Sequence, residues 1–355
     1  MGTIPRVREL VIVAADLYFA PEGANSVAGP ELPHLAHVAR FGQGETLPRG
    51  WRGWIAGRLS GEQLAHAPAA AVAAAGLLPT GTAAGDRTAR AAQVWLATPV
   101  HLTVSLRGVH LDPHGLLRLD AAAQARLAES FGAHFGEHGH GLLPASGGGF
   151  VAYGPRIEGI TRTIDPARCL GASLTEAQPT GPGGPRLQRL SAEIEMWLHA
   201  HPLNVERLHA GEPPVSALWL WGGASAEERL TLANPPETSG PAAWLFGDDP
   251  YLAGLASLTR TASGPAPATL AAGVACPRGM TVIVVEVFGE RARAGMPQAA
   301  LEAFEHDFVA PALRAVRSGA VDLLRLVAND RALTLRQRDR LRLWRRRRGA
   351  LEALQ

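Results

Sequence analysis

The sequence contains no lysine, so all 34 of its basic side chains are arginines. This absence excludes pyridoxal-phosphate enzymes and class I aldolases, because both form a Schiff base on a lysine amine. It also excludes P-loop nucleotide binding and protein kinases, because each places a lysine on nucleotide phosphates. Heavy use of alanine, glycine, proline and arginine is typical of a G+C-rich genome. The missing lysine therefore restricts the mechanism without indicating a function.

Cysteine and long apolar runs are also scarce. Cys169 and Cys276 are the only cysteines in 355 residues, which is too few for a disulfide framework and favours a reducing cytoplasm. The first apolar run, residues 10–15, is too short for a signal peptide or a membrane span. A net charge of +2 gives little general attraction to nucleic acid or membranes. The composition predicts a globular cytoplasmic protein without membrane association, with nucleic acid disfavoured and a protein partner possible.

The order of apolar segments predicts the fold class. Residues 10–15 form a continuous apolar run, typical of a strand buried on both faces of a parallel sheet. Residues 281–287 give the strongest strand signal, and residues 321–328 predict the last strand, followed by a basic helix over 335–354. Strands that alternate with helices at this spacing predict an α/β fold with helices on both faces of the sheet.

A second group of segments predicts a small α/β insert. Residues 100–106 alternate between apolar and polar, which indicates a half-buried strand. Asp120 is placed to cap the N-terminus of a helix, and residues 150–153 form a short strand after a run of glycines. The length of the chain agrees with two domains, or with one large domain that carries an insertion.

Two acidic residues follow predicted strands. Asp16 comes after the first strand and Asp330 after the last. Open α/β sheets bind ligands beyond the carboxyl ends of their strands, where two carboxylates could hold a divalent metal. The alternative is that Asp16 caps a turn and Asp330 belongs to a loop, and the residues alone leave both interpretations open.

Three further patterns carry possible chemistry. The spacing of His134, His138 and His140 would allow zinc binding, but they span a helix end and a glycine-rich turn without a nearby cysteine. Ser60 precedes His66 by six residues and is a candidate nucleophile, although the Gly-x-Ser-x-Gly elbow of hydrolases is absent. The arginines between residues 336 and 348 could contact phosphate or RNA, or belong to a helix docked by its leucines.

The segment from residue 190 to 223 carries a family resemblance. It contains His-Pro-Leu-Asn-Val-Glu-Arg and then Pro-Pro-Val-Ser-Ala-Leu-Trp-Leu-Trp-Gly-Gly. These motifs resemble the His-Pro-x-Asn-x-x-Arg and Pro-x-Asn-x-x-Trp-x-Trp-Gly signature of archaeal-type, cofactor-independent phosphoglycerate mutases. They are more similar still to the RpfE-type regulatory proteins related to those mutases. Asn204 and Arg207 match the signature, which implies substrate binding, whereas Ser216 replaces its second asparagine.

The resemblance implies a fold and a mechanism. The implied fold is alkaline-phosphatase-like, with a central sheet flanked by helices and a smaller inserted α/β subdomain. We place the core at residues 1–95 and 203–355, and the insert with its linker at residues 96–202. In active members, aspartates and histidines hold two divalent metals, and a serine or threonine attacks the phosphoryl group. The metals neutralise the phosphate, activate the nucleophile and stabilise the leaving oxygen.

The sequence departs from the active members at the metal ligands. Asp16 is followed by leucine instead of glycine, Glu286 stands in the strong strand where a histidine is expected, and Asn329-Asp330 replaces Asp-His. His306 is the one histidine after His209. The candidate metal ligands are therefore Asp16, Glu286 and Asp330. We expect no bound cofactor, or a divalent Mn or Zn ion if the site is active.

Three hypotheses follow from these departures. The first is a non-catalytic or regulatory relative of the mutases with a degenerate two-metal site. The second is an active, metal-dependent phosphoglycerate mutase or phosphatase. The third is a regulator that binds nucleic acid through its arginine-rich C-terminus.

Overall fold

The computed structural model describes most of the chain. The described residues are 7–18, 32–77, 91–106, 108–160, 163–232, 242–270, 278–288, 297–328 and 330–341. Cys276, Asn329 and the arginines at positions 342 and 345–348 lie outside them. Among the helices of the described residues, none combines the length and hydropathy that a bilayer-spanning segment requires.

Strands and helices alternate through the described residues. The strands are β1 (Arg8–Ala14), β2 (Gln43–Thr46), β3 (Gln93–Ser105), β4 (Gly108–Leu116), β5 (Gly141–Pro144), β6 (Phe150–Gly154), β7 (Ala217–Ser225), β8 (Ala243–Phe246), β9 (Ala262–Gly264), β10 (Gly279–Val285), β11 (Leu323–Ala328) and β12 (Arg331–Arg336). The α-helices are α1 (Pro33–Phe41), α2 (Gly50–Ser60), α3 (Glu62–Ala65), α4 (Ala69–Gly76), α5 (Ala121–Phe135), α6 (Gly184–His199), α7 (Pro202–His209), α8 (Ala226–Leu232), α9 (Pro250–Thr259), α10 (Pro297–Phe304) and α11 (Ala310–Ser318). A π-helical turn, Glu305–Val309, joins α10 to α11.

The chain divides into two compact units. The first comprises Met1–His66, Pro236–Asp248 and Thr259–Gln355, and the second comprises Ala67–Pro235 and Asp249–Leu258. The second unit is thus inserted into the first at two places in the sequence. The boundaries expected from the sequence, residues 1–95 and 203–355 for the core and 96–202 for the insert, stay a prediction.

The first unit contains a seven-stranded sheet in the order β2-β12-β11-β1-β10-β8-β9. Strand β1 lies in its middle and runs parallel to both neighbours, with Ile12 opposite Ile283 of β10 and Leu326 of β11. All residues of β1 from Glu9 to Ala14 are buried, because helices cover both faces. The predicted class, an α/β fold with a central sheet flanked by helices, is confirmed.

Different helices cover the two faces of this sheet. Leu10, Ile12 and Ala14 share one apolar cluster with residues of α1 and α11. Because side chains alternate along a strand, Glu9 points to the other face, where the Arg58 guanidinium of α2 donates to its carboxylate at 2.7 Å. The alternation of β1 therefore produces two different layers, one apolar and one containing buried charge.

The C-terminal part of the first unit corrects two predictions. The strand β11 is not the last, because β12 follows after a two-residue connection and pairs antiparallel with it, Leu324 opposite Leu335. The basic helix expected from residue 335 is therefore wrong at its start, since Leu335 and Arg336 belong to a strand. Pairing of Leu335 and Arg336 with β11 outweighs the local helical pattern.

The second unit is built on an antiparallel sheet in the order β4-β3-β6-β5, with β7 paired to β3. The predicted helix after Asp120 is confirmed as α5, and the Asp120 side chain accepts a hydrogen bond from the backbone N–H of Ala123. Helices α5 and α6 contribute Leu127, Phe131 and Ile194 to the same apolar cluster as the sheet. The small α/β arrangement predicted from the sequence is present here.

Helices α4 and α9 pack closely enough in this unit to require glycine. A Cβ atom at Gly254 would overlap the carbonyl oxygen of Val72. We expect Gly254→Ala to lower the free energy of unfolding by between about 1 and 3 kcal/mol, because two backbone segments must separate. The measurement is urea unfolding monitored by circular dichroism.

The matched control for this substitution is Gly132→Ala in α5. A Cβ atom there has no neighbour within 4 Å, so the variant should be unchanged or gain up to about 1 kcal/mol from helix propensity. Equal effects of the two substitutions would contradict the close approach of α4 and α9.

Candidate functional site

The three acidic candidates follow neighbouring strands of the central sheet. Asp16 lies two residues after β1, Glu286 directly after β10, and Asp330 in the turn between β11 and β12. Because β1 is parallel to β10 and β11, these positions share the carboxyl edge of the sheet. Strand β10 ends at Val285, so Glu286 begins the loop and does not lie within the strand as expected.

Asp16 is buried and holds the loop after β10. Its Oδ1 accepts a hydrogen bond from the backbone N–H of Val287 at 2.6 Å, and its Oδ2 accepts one from Phe288 at 2.8 Å. Burial, followed by the negative charge of Glu286, raises the pKa of Asp16 to about 7, although the two N–H donors oppose this shift. The Asp16 carboxylate thus connects the ends of β1 and β10, although burial and the charge of Glu286 disfavour its ionised form.

Glu286 and Asp330 have different surroundings from Asp16. Glu286 is exposed, whereas Asp330 is half-buried and its Oδ1 accepts a hydrogen bond from the Tyr18 hydroxyl at 3.1 Å. The backbone of Asp330 is left-handed, with φ of 59°, which aspartate tolerates better than most residues in a tight turn. Within the described residues, no group of three or more His, Cys, Asp or Glu side chains is arranged to hold a metal ion.

The remaining histidine of the C-terminal part faces away from the protein. The His306 side chain is 88% exposed, and its Nδ1 lies 2.9 Å from a carboxylate oxygen of the adjacent Asp307. His306 belongs to the π-helical turn, whose Glu305 side chain accepts hydrogen bonds from the N–H groups of His34 and Leu35 at the start of α1. The turn therefore directs Glu305 inward to cap a helix and His306 outward.

Ser60, the candidate nucleophile, ends helix α2. Its hydroxyl donates to the carbonyl oxygen of Ala56, one helical turn earlier, at 2.9 Å. His66 lies beyond a left-handed Gly61 and approaches Glu62 instead, at 3.1 Å between Nε2 and Oε2. No described hydrogen bond joins Ser60 to His66, and the role of Ser60 as a nucleophile stays a prediction.

Asn204 and Arg207 lie in helix α7 and bind the loop before β7. The buried Asn204 amide donates to the carbonyl oxygens of Leu198 and Val215 at 2.8 and 2.9 Å, and its Oδ1 accepts from the N–H of Val215 at 2.8 Å. Arg207 donates through Nε to the carbonyl oxygen of Pro213 at 2.9 Å. These bonds give both residues a structural role, while substrate binding by them stays a prediction.

His201 of the signature, and Ser216 where the signature has its second asparagine, support the same loop. His201 caps α7 by accepting the N–H of Leu203 at 3.1 Å, and the Ser216 hydroxyl accepts the N–H of Leu102 in β3 at 3.1 Å. The signature thus fixes the path of the chain into β7. The sequence does not predict this role, because the partners of these side chains are backbone atoms, which every residue type has.

The pKa of Asp16 predicts a pH dependence of stability. Because the folded state retains a proton that the unfolded chain releases, this group's contribution to stability falls as the pH rises from about 4 to about 7. Asp16→Asn removes the titration and leaves one acceptor oxygen for two N–H donors. At about pH 4 the variant should be less stable than the wild type. As the pH rises toward 7, this difference in the free energy of unfolding should shrink by up to about 1.4 kcal/mol per pH unit.

Urea unfolding of both proteins across this range, in a chelating buffer, measures the difference. Parallel pH profiles for the wild type and Asp16→Asn would contradict the raised pKa of Asp16.

The fold and these positions define an α/β protein with acidic side chains at the carboxyl edge of its central sheet. No protein-family model matches the chain. A segment of 63 residues is 35% identical to a probable 2,3-bisphosphoglycerate-independent phosphoglycerate mutase of Geobacter sulfurreducens. The match covers 18% of this chain and 16% of that mutase. It indicates a relation to these mutases over that segment.

Two solved structures are similar to most of the chain at low identity. One is a cofactor-independent phosphoglycerate mutase from Thermoplasma acidophilum, with 15% identity, 92% of this chain and 89% of that chain covered, and a TM-score of 0.35. The other is the PH0037 protein from Pyrococcus horikoshii, with 11% identity, 93% and 87% coverage, and a TM-score of 0.44.

Proposed function

We propose that this protein is a non-catalytic, regulatory relative of the cofactor-independent phosphoglycerate mutases, of the RpfE type, with an alkaline-phosphatase-like fold. Its two-metal site has degenerated, and it does not carry out phosphoryl transfer. The signature around Asn204 and the 63-residue match support the relation to the mutases.

The observation that carries the proposal is that the Asp16 carboxylate binds the protein backbone. Both of its carboxylate oxygens are engaged by the N–H groups of Val287 and Phe288, so the carboxylate serves to hold a loop. A two-metal centre needs several anionic or imidazole ligands directed at each ion. As arranged, the described residues do not fit such a centre, since Glu286 is exposed and Asp330 accepts from Tyr18.

The histidine content supports the same conclusion. Two-metal phosphoryl-transfer sites of this kind use histidines from the C-terminal part of the chain, and His306 is the one histidine present after His209. It lies on the exposed side of a helical turn. Carboxylates alone would change the charge and geometry of the site.

An activity assay tests the proposal. The purified protein is incubated with 3-phosphoglycerate and Mn²⁺, and formation of 2-phosphoglycerate and of free phosphate is followed, with an active mutase as the positive control. We expect no turnover above the rate without protein. Turnover that is lost in Asp16→Ala would overturn the proposal and support a metal-dependent mutase or phosphatase.

A further inference from the structure

The second unit contains a cavity that the proposed function does not use. It has a volume of about 490 Å³ and lies between the end of α5 and one face of α6. The side chains that matter for its chemistry are His134, Phe135, His138, His140, Glu193 and Trp197. The three histidines are those whose spacing in the sequence would allow zinc binding.

The local chain path explains why these side chains converge. Helix α5 ends at Phe135, and a single 3-10 turn, Gly136–His138, continues to Gly139, which has a left-handed φ of 78°. This turn reverses the chain into β5 and brings His134, His138 and His140 to one opening. Glu193 and Trp197 are four residues apart on α6 and therefore lie on the same face.

Aromatic packing fixes the inner wall of the cavity. The ring centroids of Phe135 and Trp197 are 5.7 Å apart, and those of Phe131 and Trp197 are 5.6 Å apart, both edge-to-face. The His134 ring lies nearly parallel to Trp197, with an angle of 26° and a centroid distance of 6.4 Å. This packing holds the Trp197 indole in place before any ligand arrives, and the exposed His134 imidazole lies beside it.

The polar groups of the cavity are available to a ligand. In the described part of the chain, the side chains of His134, His138, His140, Glu193 and Trp197 have no hydrogen bond or ion pair. Burial, followed by the nearby charges of His138 and Arg186, lowers the pKa of His140, which therefore stays neutral near pH 7. A neutral imidazole both donates and accepts a hydrogen bond.

The mixture of donors and acceptors selects the chemical class of ligand. Imidazoles offer both kinds of group, the Glu193 carboxylate only accepts, and the Trp197 N–H only donates. An anion would meet the Glu193 charge, and the three histidines do not form a group that could hold a metal ion. Hydroxyl groups also both donate and accept, and the C–H face of a sugar ring is apolar enough to contact the aromatic wall.

We propose that this cavity binds a neutral polyhydroxylated ligand, such as a monosaccharide or disaccharide unit, through His134, His138, His140, Glu193 and Trp197. The cavity is lined by residues of the second unit, whereas the candidate metal ligands belong to the first. It would give the protein a small-molecule ligand whether or not it performs phosphoryl transfer.

Saturation-transfer difference NMR on the full-length protein tests this site, with D-glucose and maltose as probes and with adenosine and inorganic phosphate as comparison ligands. We expect saturable binding of at least one sugar. His138→Ala and Glu193→Gln should each weaken it by about two- to tenfold, because each removes a hydrogen-bonding group. Both side chains are exposed, so the variants should fold.

The matched control is Glu137→Gln, which changes an exposed glutamate in the same turn that does not line the cavity and should leave sugar binding unchanged. Absence of saturable sugar binding would overturn the proposal. So would sugar binding that persists unchanged in both variants, or binding of adenosine or phosphate without binding of either sugar.

Discussion

Replacing Asn204 with alanine should lower the free energy of unfolding by about 3 kcal/mol or more. The substitution leaves the N–H and carbonyl oxygen of Val215 and the carbonyl oxygen of Leu198 without their partner in a buried environment. Each unsatisfied buried group costs about 1–3 kcal/mol, so the loss exceeds that of an ordinary surface hydrogen bond. Urea unfolding at constant pH measures it.

The matched control is Gln188→Ala, which removes an exposed amide from the preceding helix α6. We expect a change within about 0.5 kcal/mol. A loss for Asn204→Ala that is no larger than for Gln188→Ala would show that the Asn204 bonds do not stabilise the loop before β7. An unchanged free energy of unfolding together with lost binding of 3-phosphoglycerate would instead favour a role of Asn204 in substrate recognition.

A second large effect is expected from Glu9 in the central strand. Its carboxylate oxygens accept hydrogen bonds from Arg58 and from Arg325, both at 2.7 Å, in a layer that is mostly buried. Burial lowers the pKa of Arg58, and the charge of Glu9 opposes this effect. Glu9→Gln keeps the size of the side chain but removes the charge that pairs with both partly buried guanidinium groups, and Arg325 keeps only a longer pair with the exposed Glu45, at 3.5 Å. We expect a loss of about 3 kcal/mol in the free energy of unfolding.

Glu62 provides a control of the same residue type and the same substitution. Its side chain also contacts two basic groups, Arg49 and His66, but is 78% exposed. Glu62→Gln should change the free energy of unfolding by less than about 1 kcal/mol, because solvent screens exposed ion pairs. If the two substitutions cost the same, burial of the Glu9 cluster is not the source of its stabilisation.

The central strands were predictable because their signal is local. A run of six apolar residues after Glu9 and a run of four after Thr281 indicate buried strands, and β1 and β10 lie in the middle of the sheet. The C-terminal strand β12 was not predictable in the same way. Leu335 and Arg336 have a helical local pattern, but their partners in β11 are eleven or more residues away in sequence.

The sequence predicts where the candidate site lies, but it does not predict the hydrogen-bond partners of the residues in it. Residues that follow parallel strands must share the carboxyl edge of the sheet, so Asp16, Glu286 and Asp330 could be placed there from the sequence. The backbone N–H groups that donate to Asp16 could not be predicted, because they come from a loop 271 and 272 residues later, at 2.6 and 2.8 Å. The same limit applies to Asn204, whose partners are backbone atoms.

Metal stoichiometry tests the central claim most directly. The protein is loaded with an excess of Mn²⁺ or Zn²⁺, desalted, and its metal content is determined by elemental analysis, with an active cofactor-independent mutase treated in parallel. A degenerate site predicts much less than one metal ion retained per chain, and the same low content in Asp16→Ala. Two tightly bound ions per chain, lost in Asp16→Ala, would contradict the account.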